Sequence, residues 1–128
     1  MKKRFGLAAV VAAALLAARA RRDWFPVRVE GPSMLPTLKP GDVLAVRPPR
    51  HGEPHTGQLV VLRRGDIEIV KRVTETVEGH ALGAEEIWLT GDNLDASTDS
   101  RTTGPAARQD VVGVVRARYK PFRSLRVF

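Results

Sequence analysis

The chain has 128 residues and a formal net charge of +7, a length that suits one domain with a modest core. It contains no cysteine, which excludes disulfides, thiol nucleophiles and cysteine-ligated metals. The positive charge favours an anionic partner, and because aromatic residues form only 5% of the chain and the arginines are scattered, we expect a membrane surface and not nucleic acid.

Residues 1–24 form a basic-flanked apolar segment. Its uncharged run, residues 5–18, would reach about 21 Å as a helix, less than the roughly 30 Å hydrocarbon core of a bilayer. Flanking arginines and the Trp24-Phe25 pair could extend that reach. We expect a retained membrane anchor, with a secretory signal cleaved near Ala18-Arg19-Ala20 as the alternative. Positive charge on both flanks leaves the orientation open.

From residue 25 to residue 128 the pattern predicts a mainly β domain. Val27 and Val29 alternate with polar residues, which indicates a half-buried strand leading into residues 31–38. Ser33 lies there between Pro32 and Pro36, and since prolines fix φ and lack an amide donor, its hydroxyl is held on a stiff bend. An ordinary turn is the alternative interpretation. A turn at residues 40–42 and a strand over residues 43–46 follow.

Residues 59–62 and 67–74 are predicted to form a hairpin that turns at Gly65. Alternation along its second strand places Lys71 on one face with Ile67, Ile69 and Val73 and points Arg72 toward solvent. Desolvation lowers the pKa of a lysine, so a buried Lys71 could accept the proton of a serine nucleophile. A snorkelling or edge lysine is the alternative.

The third informative segment is the polar loop at residues 91–101, which follows an apolar strand pattern at residues 87–89. A Gly-Asp-Asn turn after a strand places small hydrogen-bonding side chains at a sheet edge, although a plain surface loop has the same composition. Residues 111–119, interrupted by Gly113, are predicted to be a closing strand. The histidines lack metal-ligand spacing and are assigned to loops, so no metal or cofactor is expected: His51, His55 and His80.

Three segments, in this order, resemble the signature boxes of the type I signal peptidases, a family of membrane-anchored Ser-Lys proteases. They are Ser33-Met34-x-Pro36-Thr37-Leu38, Lys71-Arg72, and Gly91-Asp92-Asn93-x-x-x-Ser97-x-Asp99-Ser100-Arg101. The resemblance covers about residues 27–119. It implies a small signal-peptidase-like catalytic β domain with an N-terminal apolar helix, held in the membrane by a single pass and placed on the extracytoplasmic face. The implied partners are the signal or leader peptide of a preprotein and the lipid bilayer.

The resemblance also implies a role for each matching residue. Ser33 would be the acylating nucleophile, and Lys71 the general base for acylation and deacylation. Ser97 would orient the lysine amine. The remaining implied residues are Asp99 and Arg101 as a supporting ion pair, Asp92 and Asn93 as a loop that shapes the site, Pro32 and Ser33 at the oxyanion region, and Met34, Leu35 and Pro36 as substrate or membrane contacts. Because Gly31 has no hydroxyl, the oxyanion donor would be a backbone amide.

Two departures from the family pattern limit the prediction to a minimal catalytic core. The Gly-x-Pro-Gly-Asp sequence that commonly follows the Lys-Arg pair is replaced by residues 74–79, and residues 72–90 leave no room for a large accessory β domain. Small members of this kind include proteases of the nickel superoxide dismutase maturation type, so a general secretory role and a single dedicated substrate both stay open. The alternatives outside the family are a LexA-like self-cleaving Ser-Lys protease and an inactive membrane-tethered binding domain.

Overall fold

The computed structural model describes residues 2–77 and 79–128, and within them the predicted mainly β fold is confirmed. The helices are α1 (Lys2–Arg21) and α2 (Ser100–Thr103). The strands are β1 (Phe25–Arg28), β2 (Val43–Arg47), β3 (Leu59–Arg64), β4 (Ile67–Thr74), β5 (Glu86–Thr90), β6 (Ala106–Ala107), β7 (Val111–Lys120) and β8 (Arg126–Val127). Single 3-10 turns occupy Leu94–Ala96, Arg108–Asp110 and Phe122–Ser124.

The N-terminal segment forms the helix α1, as its composition predicts. The flanking charges predicted at residues 2–4 and 21 lie outside the described side chains. In the portion of the chain covered by the structure, we find no helix whose length and apolar character would let it cross a membrane.

The described strands pair antiparallel in the order β1-β2-β7-β3-β4-β5-β6, with β8 beside β7. The predicted hairpin is confirmed as β3 and β4, and Gly65 turns it with a φ of 61°. The strand predicted at residues 111–119 is present as β7. It does not close an edge of the sheet as predicted, because it lies in the interior of the sheet between β2 and β3. Its register shifts opposite Val61 and Leu62, next to Gly113, where an added Cβ would lie 3.0 Å from the Phe25 ring.

Two apolar clusters fill the core, and β3 contributes alternate residues to both. Leu59 and Val61 join the cluster that contains Met34 and Leu38, whereas Val60 and Leu62 join the cluster that contains the buried residues of β5. Because successive side chains of a strand point to opposite faces, the continuous apolar run of β3 is buried on both sides. The turn that contains Ser33 and the strand β4 that contains Lys71 therefore both pack against the buried strand β3.

The connection between β2 and β3 is a loop, as predicted, but it contains a buried ion pair that the sequence analysis did not anticipate. Arg47 donates to both carboxylate oxygens of Glu53, at 2.6 and 3.1 Å, and the two side chains are 7% and 8% exposed. The side-chain hydrogen bond from Arg47 is the largest influence on Glu53 and lowers its pKa from an ordinary 4.5 to about 2. This pair fixes a loop that contains no regular structure of its own.

Candidate functional site

Ser33 lies on the turn between β1 and β2, half-buried, as the prolines around it predict. Met34 and Leu38 anchor the turn from below, because both side chains are buried in the core and the Leu38 amide donates to the Met34 carbonyl at 2.9 Å. From above, the Asn93 amide donates to the Ser33 carbonyl at 2.9 Å, and its side-chain amide donates to the Pro32 carbonyl at 3.1 Å. The turn is therefore held on both sides.

Lys71 is buried in β4, with only 6% of the residue exposed. Its amine donates to Ser97 Oγ at 2.8 Å and lines a cavity of about 50 Å³ together with Ile69 and Leu89. Burial lowers the pKa of Lys71; the Asp99 carboxylate opposes that shift and the Arg101 charge adds to it. At a given pH, a larger fraction of Lys71 is therefore neutral than of an exposed lysine.

Asp99 accepts most of the hydrogen bonds in the group of side chains around Lys71. Its buried carboxylate accepts from Ser97 Oγ at 2.7 Å, from the Gly91 amide at 2.9 Å and from the Arg101 guanidinium at 2.9 and 3.0 Å. Burial by itself would raise the pKa of Asp99, but these hydrogen bonds outweigh it and hold the pKa well below its usual range. Asp99 therefore stays charged, and the chain of contacts runs from Lys71 through Ser97 to Asp99 and Arg101.

Gly91 packs between the turn that contains Ser33 and the side chain of Ser97, the hydrogen-bond partner of Lys71. A Cβ at this position would collide with Ser97 Oγ and would lie 2.6 Å from the Ser33 carbonyl oxygen. Only glycine permits that approach. Ile69 borders both the cavity that contains Lys71 and a separate cleft of about 160 Å³ that contains Ser33. The structure thus brings the predicted serine turn and the Lys71–Ser97 pair to adjacent positions.

A second set of contacts, which the sequence analysis missed, ties the serine turn to β4. Arg72 was predicted to face solvent, but it donates to both oxygens of Asp92 at 2.8 Å each. Asp92 also accepts the Thr37 hydroxyl at 2.5 Å, and the Thr37 carbonyl accepts Arg118 at 2.8 Å. Burial alone would raise the pKa of Asp92, but Arg72 and Thr37 hold it below its usual range. We call the hydrogen bonds of Asp92 with Thr37 and Arg72 the clamp. In the sequence, the position of Asp92 next to Asn93 in the Gly-Asp-Asn turn was the only local indication of it.

The other predicted positions divide between surface and core. Pro32 and Pro36 are exposed and Leu35 is half-buried, so these residues are accessible to a substrate or a membrane. Met34, by contrast, is buried among core side chains and fills the space beneath the turn. The predicted substrate or membrane contact at Met34 is therefore wrong for this structure. Ile67 is 65% exposed, so the predicted apolar face of β4 begins only at Ile69. The loop assignment of the histidines is confirmed: His51, His55 and His80.

Comparison with known proteins identifies the family. Residues 7–115 match the family described as Peptidase S24-like. The chain is 34% identical over 119 residues to the mitochondrial inner membrane protease subunit 1 of Xenopus tropicalis, covering 73% of this chain and 68% of that protein. It is also 34% identical over 123 residues to the mitochondrial ATP-independent inner membrane protease subunit 1a of Arabidopsis thaliana, covering 77% and 73%. These matches confirm the predicted relationship to signal-peptidase-like proteases, and the chain belongs to the Peptidase S24-like family.

Proposed function

We propose that the protein is a membrane-attached serine endopeptidase that cleaves signal or leader peptides, with Ser33 as nucleophile and Lys71 as general base. The observation that carries the proposal is the buried Lys71 amine, held 2.8 Å from Ser97 beside the serine turn. A serine hydroxyl attacks poorly unless a base accepts its proton, and a lysine with a lowered pKa can supply that base near neutral pH. Membership of a peptidase family supports the reaction class.

The hydrogen bonds of Ser97 favour a productive orientation of the amine. The Ser97 hydroxyl gives its own proton to Asp99, so its oxygen accepts an N–H from Lys71 and leaves the nitrogen lone pair unengaged by Ser97. The Asp99 charge favours the ammonium form of Lys71, and the Arg101 charge beside it counteracts that effect. Ser97 and Asp99 are thus proposed as positioning residues for the base.

In the proposed reaction, Lys71 takes the Ser33 hydroxyl proton while Ser33 Oγ attacks the scissile carbonyl. The backbone amide of Ser33 stabilises the oxyanion, since Gly31 and Pro32 offer no hydroxyl. Collapse of the tetrahedral intermediate passes the proton from Lys71 to the departing amine and leaves an ester on Ser33. Lys71 then takes a proton from water, whose oxygen attacks the ester. When this second tetrahedral intermediate collapses, the bond to Ser33 Oγ breaks, Lys71 returns the proton to that oxygen, and the peptide leaves as a carboxylic acid that ionises in water.

The proposed domain division places the catalytic unit at residues 25–128 and the membrane attachment at residues 1–24. Among the described side chains of α1, the large apolar ones are exposed and belong to neither core cluster: Leu7, Val10, Val11, Leu15 and Leu16. The names of both relatives locate those proteins at an inner membrane. We propose a single-pass attachment with the catalytic unit on the extracytoplasmic face. Full-length protein should then resist extraction by alkaline carbonate, and a mature N-terminus near Arg21 would instead indicate a cleaved signal.

The test of the chemistry uses a labelled peptide with Ala-x-Ala before the cut and detergent-solubilised protein. We expect Ser33→Ala to abolish cleavage and Lys71→Arg to fail as completely as Lys71→Ala, because a guanidinium stays protonated. Lys39→Arg is the matched control, since Lys39 is an exposed lysine and should tolerate the exchange. Wild-type cleavage by folded Ser33→Ala, or by Lys71→Arg, would refute the proposed dyad.

A further inference from the structure

The C-terminal segment presents an exposed surface that is both apolar and basic. It follows β7 and comprises residues 120–127, which we term the C-terminal patch. Phe122, Leu125 and Val127 are 74%, 65% and 73% exposed, unusually large fractions for such side chains. The same segment contains three exposed cations: Lys120 precedes Phe122, Arg123 follows it, and Arg126 stands between Leu125 and Val127. Apolar and positive groups therefore alternate along one short segment.

The charged side chains of residues 111–128 are all positive. All 14 acidic residues occur at or before Asp110, whereas residues 111–128 contain five cations: Arg116, Arg118, Lys120, Arg123 and Arg126. Of the acids brought close by the fold, Asp42 pairs with Arg118 inside the protein, and Asp92 interacts electrostatically with Arg126. Lys120 and Arg123 remain exposed beside the apolar side chains and suit an anionic surface.

The C-terminal patch lies next to the serine turn. Arg118 donates to the Ser124 carbonyl within the segment and to the Thr37 carbonyl of the turn, both at 2.8 Å. Lys120 is also paired with Val43, the first residue of the strand that follows the turn. The exposed Pro36 of the same turn adds a further apolar contact. A surface bound by the patch would therefore be close to Ser33.

We propose that the C-terminal patch binds the surface of an anionic lipid bilayer, with its apolar side chains in the interface and its cations at lipid phosphates. Exposed Phe, Leu and Val beside Lys and Arg are the composition of an interfacial segment, and nucleic acid would leave these apolar side chains without a partner. The inference rests on the proposed membrane attachment and adds a second contact, which places the serine turn at the bilayer surface where a membrane-borne peptide emerges.

The test uses the absence of native cysteine to place a single spin label on the full chain. Leu125→Cys carries the label in the patch, and Glu85→Cys carries it at an exposed site before β5, which two strands separate from β7. In vesicles containing phosphatidylserine, we expect the label at position 125 to be accessible to oxygen and protected from an aqueous nickel chelate. The label at position 85 should show the reverse, and position 125 should become aqueous in purely zwitterionic vesicles.

Charge variants measure the electrostatic part. Lys120→Gln and Arg123→Gln should each lower the ratio of immersed to aqueous label at position 125 by roughly fivefold, and added salt should lower it further. A label at position 125 that is aqueous in anionic vesicles, or equally immersed in both kinds, would overturn the proposal. Dipolar broadening at position 125 that persists in detergent would also overturn it, because a second copy would then cover the patch.

Peptide cleavage by the same labelled samples separates this proposal from the proposed function. Immersion without cleavage would support the lipid contact and count against the peptidase mechanism. Cleavage without immersion would support the mechanism and overturn the lipid contact.

Discussion

The clamp between Thr37 and Asp92 allows the sharpest test of how the serine turn is positioned. Thr37→Val removes one hydroxyl, keeps the shape of the side chain and leaves Asp92 paired with Arg72 through two hydrogen bonds. The lost bond, 2.5 Å long, is in the range of charge-assisted O–H···O⁻ contacts, and hydrogen bonds to charged groups contribute about 1.5–3 kcal/mol. We expect the free energy of unfolding to fall by about that amount.

The same substitution should affect catalysis through geometry. A displacement of the serine turn by about 1 Å is enough to lower the rate by roughly a hundredfold, so we expect kcat to fall by about ten- to a hundredfold while KM changes little. The pH dependence should keep its shape, because Lys71 and its neighbours are untouched. Urea unfolding followed by tryptophan fluorescence and peptide cleavage, both in detergent, measure the two effects.

Two controls isolate the hydroxyl of Thr37. Thr37→Ser retains the donor and should restore most of the stability and kcat, and Thr56→Val makes the same exchange on an exposed loop and should be close to neutral. In a double-mutant cycle with Asp92→Asn, the effect of removing the hydroxyl should shrink, since its acceptor is no longer charged. Unchanged stability and kcat in Thr37→Val would refute the clamp, as would equal losses in Thr37→Ser.

Three further predictions concern the base, the glycine and the buried ion pair. Activity should rise with pH as Lys71 loses its proton, and Ile69→Asn should admit water, raise the pKa of Lys71 and move the ascending limb of kcat/KM to higher pH; an unmoved limb in a folded variant would contradict activation by burial. Gly91→Ala should abolish cleavage, whereas Gly6→Ala, where the added Cβ meets no atom within 4 Å, should not. Cleavage assays with thermal melts measure both variants, and equal behaviour of the two would contradict the steric argument. Because the pKa of Glu53 is lowered from 4.5 to about 2, its pairing with Arg47 is fully stabilising above pH 4.5 and is lost as the pH falls toward 2. The contribution is at most about 3 kcal/mol, and Glu53→Gln should flatten the pH dependence of unfolding in that window, whereas an unchanged slope would count against it.

The sequence by itself determined the local elements of this protein. Period-two alternation predicted the strands around Val27 and Lys71, and turn chemistry predicted the bend at Ser33 and the hairpin turn at Gly65, because these features depend on residues that are close in the chain. The three matching segments also predicted that Ser33, Lys71 and Ser97 belong to one site. Their spacing was enough for a family relationship that the comparisons then confirmed.

Only the tertiary structure decided which distant groups meet. The central position of β7 depends on which strands pair with each of its halves, and alternation within one strand contains no information about its neighbours. Thr37 and Asp92 are 55 positions apart, so no local pattern predicts their hydrogen bond or the ion pair that Arg72 forms with Asp92. The family resemblance implied a substrate or membrane contact for Met34, yet its side chain is buried and fills the core beneath the turn. Burial and ion pairing depend on the three-dimensional surroundings of a side chain, and these surroundings exist only once strands that are distant in the sequence have paired.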